Sequence, residues 1–80
     1  MTARDRVIAT FCEKSGVDPS QITDKTLVTD LGIDSMSFMD LVMRLEQSEN
    51  IVLSDEEYDR IIAATLVSEI VDIFGSARVA

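Results

Sequence analysis

Apolar residues recur at helical spacing in several stretches of a chain only 80 residues long. A period near 3.6 commits each stretch to burying one side against its neighbours. The first stretch has Thr2 as its N-cap and Asp5 in its first turn. Val7/Phe11 and Ile8/Cys12 form i, i+4 pairs, Lys14 suits the last turn, and Gly16 falls just past the end. A second helix is expected from about Ser35 to Glu49. A third, short one should begin near Ser54, where Ser54-Asp55-Glu56-Glu57 is a capping box. Tyr58, Ile61 and Ile62 give it an inward side. Thr65 is expected to cap a last helix whose stripe is Leu66, Val67, Ile70, Val71 and Phe74, with Gly75 ending it. The expected architecture is all-α: one domain over residues 1–80, a small four-helix bundle of three main helices and one short one.

Between the first two helices, residues 17–34 read as irregular. Pro19 and several Asp, Ser and Thr residues interrupt any helix, yet Val17, Ile22, Leu27, Leu31 and Ile33 are scattered through. A loop of this length in a compact domain is uncommon and usually functional. Its apolar residues predict that it packs down over the helices.

Size and composition narrow the chemistry. A domain this small buries only about 60% of its unfolded-chain surface, which leaves little room for a deep active site beside a core. Aromatic residues are 5% of the chain, so Leu, Ile, Val and Met must build that core. There is no His, which removes Ser–His and Cys–His nucleophilic pairs. The single Cys12 can form no internal disulfide, and one thiolate builds no zinc site; it reads as a small core residue. No stretch reaches the roughly 18 apolar residues of a membrane span, and the start of the sequence shows no signal-type apolar run. A non-enzymatic, monomeric protein of the reducing cytoplasm is the expectation, with no metal site and no membrane insertion.

The net charge is −8, and it is concentrated: residues 30–60 hold nine acids against Arg44 and Arg60. Nucleic acid is not expected as a partner, since phosphates would be repelled. Either this is a solvated acidic face or it attracts basic protein surfaces.

The helix after Leu31-Gly32-Ile33-Asp34-Ser35 carries the main clue. At about 100° per residue, Phe38, Leu41, Val42 and Leu45 share one side. Met36, Met39 and Met43 fall on roughly the opposite side, with Asp40 and Gln47 among them. One stripe suffices to join a core, so the second is surplus to folding unless the long loop or the short helix covers it. Methionine recurs on surfaces that adapt to several partners. Ser35 itself has two readings: an ordinary helix cap, or an attachment point for a phosphate at the positive end of the helix dipole. Without a His base it is no self-activated nucleophile, so another enzyme would have to activate it.

Asp30-Leu31-Gly32-Ile33-Asp34-Ser35-Met36, followed by Asp40-Leu41-Val42-Met43-Arg44-Leu45-Glu46, resembles the central region of acyl carrier proteins. Asp55-Glu56-Glu57, Thr65-Leu66-Val67 and Ile70-Val71-Asp72-Ile73 match downstream, in the expected order and spacing. The resemblance implies a four-helix carrier fold whose Ser35, preceded by Asp34, receives 4'-phosphopantetheine from coenzyme A through a magnesium-requiring phosphopantetheinyl transferase. The arm's thiol would hold an acyl group as a thioester. Partners with basic surfaces would read the second helix through Met36, Met39, Asp40, Met43, Glu46 and Glu49. An acyltransferase or adenylating ligase would load the carrier, and a ketosynthase or another thioester-processing enzyme would use it.

The sequence departs from the family pattern in places. Glu49 stands where many members bury an aromatic, with Ile51, Val52 or Leu53 as replacement anchors. Arg44 adds a positive charge among the acids, and Met36 replaces the more usual Leu. These differences point to polyketide, hybrid or other specialised biosynthesis rather than housekeeping fatty-acid synthesis. Ile33 replaces the second Gly usual in peptidyl carriers, which favours an acyl cargo and leaves an aminoacyl or peptidyl carrier of a nonribosomal pathway as the alternative within the family. The reading from another class is an unmodified helical adaptor that docks a partner through its methionines.

Overall fold

A computed structural model describes residues 2–80. Four helices form the body: α1 (Ala3–Ser15), α2 (Ser35–Ser48), α3 (Asp55–Ala63) and α4 (Val67–Ser76). The structure is the expected small helical bundle, with one addition. Residues Ile51–Val52 (β1) and Arg78–Val79 (β2) pair antiparallel, Ile51 opposite Val79 and Val52 opposite Arg78. The tail thereby fastens onto the α2–α3 connection, and the Ala80 N–H donates to the Asn50 carbonyl at 2.9 Å.

Local chemistry sets the ends of α1 and α3. Thr2 Oγ1 accepts from the Asp5 N–H and Asp5 returns a carboxylate to the Thr2 N–H, both at 3.2 Å. Ser54 and Glu57 exchange the same pair at 3.1 and 2.9 Å. Gly16 closes α1 in the left-handed region at φ 78°, and an added Cβ there would meet nothing within 4 Å. The backbone angle, not space, is therefore what calls for glycine.

Two expectations at the other ends need correcting. Thr65 does not occupy the N-cap of α4. Leu66 does, with no side-chain acceptor of its own, and Glu69 reaches back to take the Leu66 N–H at 3.1 Å and the Thr65 hydroxyl at 3.2 Å. Gly75 does not end α4 either; the helix runs through it to Ser76.

The core is shared by all four helices. Val7 and Phe11 of α1, Val42 and Leu45 of α2, Ile61 of α3, and Val67 and Ile70 of α4 are almost fully buried. The Phe11 and Phe38 rings meet with centroids 5.7 Å apart, which seats α2 on α1. Cys12 is buried, and its thiol is pushed up by that burial. Leu53 is buried just after β1, with Ile51 half-buried.

The long loop does pack down. Two 3-10 turns, Pro19–Gln21 and Val28–Leu31, bring Leu31 into the core and leave Val17, Ile22 and Ile33 partly buried against it. The Val28 N–H donates to the Thr65 carbonyl at 2.9 Å, and the Val67 N–H donates to the Thr26 carbonyl at 3.0 Å. Arg4 holds Asp24 at 3.2 Å. These ties fix the segment that delivers Ser35.

Candidate functional site

Ser35 is the first residue of α2, and the chain is turned into it by Gly32, left-handed at φ 66° after the second 3-10 turn. The cap is Asp34, not Ser35. The Ser37 N–H donates to Asp34 Oδ1 at 2.8 Å and the Ser37 hydroxyl donates to Oδ2 at 3.3 Å. These bonds, the backbone N–H of Ser37 first, hold the Asp34 carboxyl below its usual range. With the helix end already satisfied, the Ser35 hydroxyl has no structural task. It is exposed, and it makes no hydrogen bond among the described residues.

Ser35 also lies where two surface depressions meet. On one side is a shallow groove that it lines with Met36, Met39, Asp40 and Met43. On the other is a cleft of about 460 Å³ between the loop, α2 and α3, walled by residues including Leu27, Ile33, Phe38, Ile61 and Ile62. Ile62 was expected on the inward side of α3. It is instead 63% exposed and stands at this cleft, because Ile61 takes the core-facing position and Ile62 is rotated about 100° from it.

The expected partner-facing residues divide into two groups. Met36 is 84% exposed and Met43 51% exposed. Asp40 is exposed beside them, 3.2 Å from Arg44 one turn on. Met39 is partly covered and packs against the core, so the methionine side is less sharply separated from the core than its spacing suggested.

Glu46 and Glu49 are turned inward. Glu46 Oε2 accepts from the Leu53 N–H and Oε1 from the Tyr58 hydroxyl, both at 2.7 Å. Glu49 accepts two bonds from the Arg6 guanidinium, each at 2.9 Å. Its side chain is 9% exposed, and the Arg6 hydrogen bonds hold its carboxyl below its usual range. Both acids, expected to face partners, are engaged within the chain by these bonds. Tyr58 and Arg6 were not foreseen in these roles. Both acids lie near the end of α2, where the chain turns back over its own helices, and that position was the available signal.

The site is thus an exposed serine with an unengaged hydroxyl at the start of a helix, in a small helical domain, with an apolar cleft at its side. Residues 5–72 match the family model described as the phosphopantetheine attachment site, and the chain belongs to that family. Such domains are non-catalytic carriers with a covalently attached 4'-phosphopantetheine group. The site fits this group: one unengaged hydroxyl at the surface, with its cap supplied by a neighbour. Among the described residues, no helix is long and apolar enough to cross a membrane.

Proposed function

We propose that Ser35 is the attachment residue and that the chain is an acyl carrier. A phosphodiester would form between Ser35 Oγ and the phosphopantetheine phosphate as 3',5'-ADP leaves coenzyme A. The Ser35 proton goes to a base of the transferase, since the neighbouring Asp34 carboxylate is engaged by Ser37 and held below its usual range. Attached there, the arm supplies a thiol that holds an acyl group as a thioester. The free Ser35 hydroxyl beside a capping Asp34 carries this reading. The cleft supports it, because its apolar walls suit an acyl chain tethered at its edge.

Loading falls to an acyltransferase or adenylating ligase, and consumption to a ketosynthase or another thioester-processing enzyme, in polyketide, hybrid or other specialised biosynthesis. Arg44 in the acidic helix and Glu49 at the end of α2 support that pathway class over housekeeping fatty-acid synthesis. The buried, single Cys12 suits a reducing cytoplasm. The test is intact mass after incubation with coenzyme A, magnesium and a broad-specificity phosphopantetheinyl transferase. The wild type should gain one phosphopantetheine and Ser35→Ala none. Modification of the Ala variant, or none of the wild type across several transferases, rejects Ser35 as the site.

A further inference from the structure

The cleft beside Ser35 is apolar along most of its wall, through residues such as Ile33, Phe38, Ile61 and Ile62, but Thr29 and Thr65 also line it. Thr29 comes from the second 3-10 turn and Thr65 from the connection between α3 and α4. These two segments are fastened to each other. The Val28 N–H donates to the Thr65 carbonyl at 2.9 Å, and Leu27 forms an antiparallel bridge with Leu66. The two threonines therefore stand at one end of the cleft on backbone that is already tied together, which lowers the cost of using them as a pair.

Their hydroxyls differ in what they have left to offer. The Thr65 hydroxyl donates to Glu69 at 3.2 Å, so its lone pairs remain for another group. The Thr29 hydroxyl makes no hydrogen bond among the described residues, and the residue is exposed. Its turn does not need it, because Asp30 takes the Leu27 N–H at 3.3 Å. Thr29 thus brings an uncommitted donor to an otherwise apolar wall. A saturated chain gains nothing from such a donor. A chain bearing a ketone gives up its hydrogen bonds to water on entering an apolar cleft, and a donor waiting there restores one.

We propose that the cleft selects acyl chains that carry an oxygen along the chain, a ketone or a hydroxyl, over plain saturated chains of the same length. Thr29 donates to that oxygen, and Thr65 accepts from it where it is a hydroxyl. The proposal rests on the carrier reading and names the substrate class of the same cleft. Ile33, Phe38, Ile61 and Ile62 hold the hydrocarbon part of any chain alike, so the discrimination falls to the two threonines.

The test loads Ser35 enzymatically with pantetheine analogues in which an amide replaces the thioester, so that the chain stays attached. Chains of one length are compared: saturated, and with a single ketone moved along the chain. The methyl signals of Ile33, Ile61 and Ile62 read the fraction of chain seated in the cleft. At least one ketone position should raise the ratio of seated to unseated chain about fivefold over the saturated chain, which is what one net hydrogen bond is worth. The same ketone chain should move the wild-type Thr29 amide signal more than the saturated chain does. Thr29→Val keeps the shape, removes the hydroxyl and should abolish the preference, whereas Thr29→Ser should keep it. A saturated chain that seats as well as every ketone chain overturns the proposal. So does a preference that survives Thr29→Val, and so does a cleft that responds to no chain. The mass of the protein is read first: failure to load rejects the carrier assignment, whereas a loaded protein whose cleft shows no preference for the ketone rejects the selectivity alone.

Discussion

The Tyr58 hydroxyl donates a 2.7 Å hydrogen bond to Glu46, whose other oxygen accepts from the Leu53 N–H at the same distance. One carboxylate thus ties the last turns of α2 to the residue that follows β1 and to the inner side of α3. Since α3 forms one wall of the cleft beside Ser35, this contact shapes the site without belonging to it. Tyr58→Phe should cost about 1.5–3 kcal/mol in urea denaturation, the range for a hydrogen bond to a charged group. Hydrogen exchange should quicken in α3 more than in α1. Equal exchange in both helices would show that α3 is held by Ile61 alone.

The same contact has a pH signature. Burial first, then the Glu46 hydrogen bond and charge, push the Tyr58 phenol up to about 12. Between its ordinary value and that one, the folded chain holds a proton that the unfolded chain has released. Stability should therefore be complete below about pH 10 and fall as pH rises through that window. The sequence contains one tyrosine, so phenolate absorbance follows this group alone. In Glu46→Gln the midpoint should move down toward the ordinary value. A midpoint at the ordinary value in the wild type would mean that the hydroxyl faces water.

Arg6 and Glu49 make the second tie, from α1 to the end of α2. Glu49 is held low by Arg6, so the pair contributes stability above the ordinary carboxylate range. That contribution is lost as pH falls through the lowered folded value. A double-mutant cycle with Arg6→Ala and Glu49→Ala should show favourable coupling at pH 7 that vanishes in strong acid. Arg6→Ala alone should lower the melting temperature more than Glu49→Ala, because it strands a nearly covered carboxylate. Replacing both residues by Leu should restore it. Coupling that persists in strong acid would reduce the pair to packing.

Much of this was legible in the sequence. Capping patterns such as Thr2–Asp5 and Ser54–Glu57, and the i, i+4 apolar pairs, are local, so the helices and the core followed from them. So did the Asp34-Ser35 element at the start of α2. Less legible was whatever depends on which distant group arrives opposite. Glu46 and Glu49 read as surface acids until Tyr58 and Arg6, 12 and 43 residues away in the chain, come into contact with them. The pairing of Ile51–Val52 with Arg78–Val79 is non-local too, and two residues per strand leave no alternation to read. Gly75 reads as a stop by type, yet within α4 it costs only about 1 kcal/mol against Ala, which the buried stripe around it outweighs.

The remaining acids predict a salt response. Asp55, Glu56, Glu57 and Asp59 fall within five residues on α3, and Arg60 is the only base of that helix. Their repulsion exists in the compact state and is screened by salt. The melting temperature near neutral pH should rise with sodium chloride, and more steeply with millimolar divalent cations. A flat response would mean that the Arg6–Glu49 and Arg44–Asp40 pairs, together with Arg60, already neutralise the region.

The two sides of α2 should separate by mutation, with Met39 between them. Leu41 is buried, and Leu41→Ala should cost about 2–5 kcal/mol through lost transfer energy and the cavity left behind. Met36 and Met43 project from the surface, so truncating either should change stability by no more than about 0.5 kcal/mol. Met39 is half-covered against the core, and its truncation should fall between these limits. Function should rank the residues differently. In a transferase assay that loads Ser35, Met36→Ala and Met43→Ala should lower kcat/KM while the fold stays intact, because both line the groove that meets the serine. Leu41→Ala should act only in proportion to the chain it unfolds. Urea denaturation beside the loading assay distinguishes these. If Met36→Ala and Met43→Ala load at the wild-type rate, the methionine side is not what the transferase contacts, and approach to Ser35 must come over the cleft and Ile62.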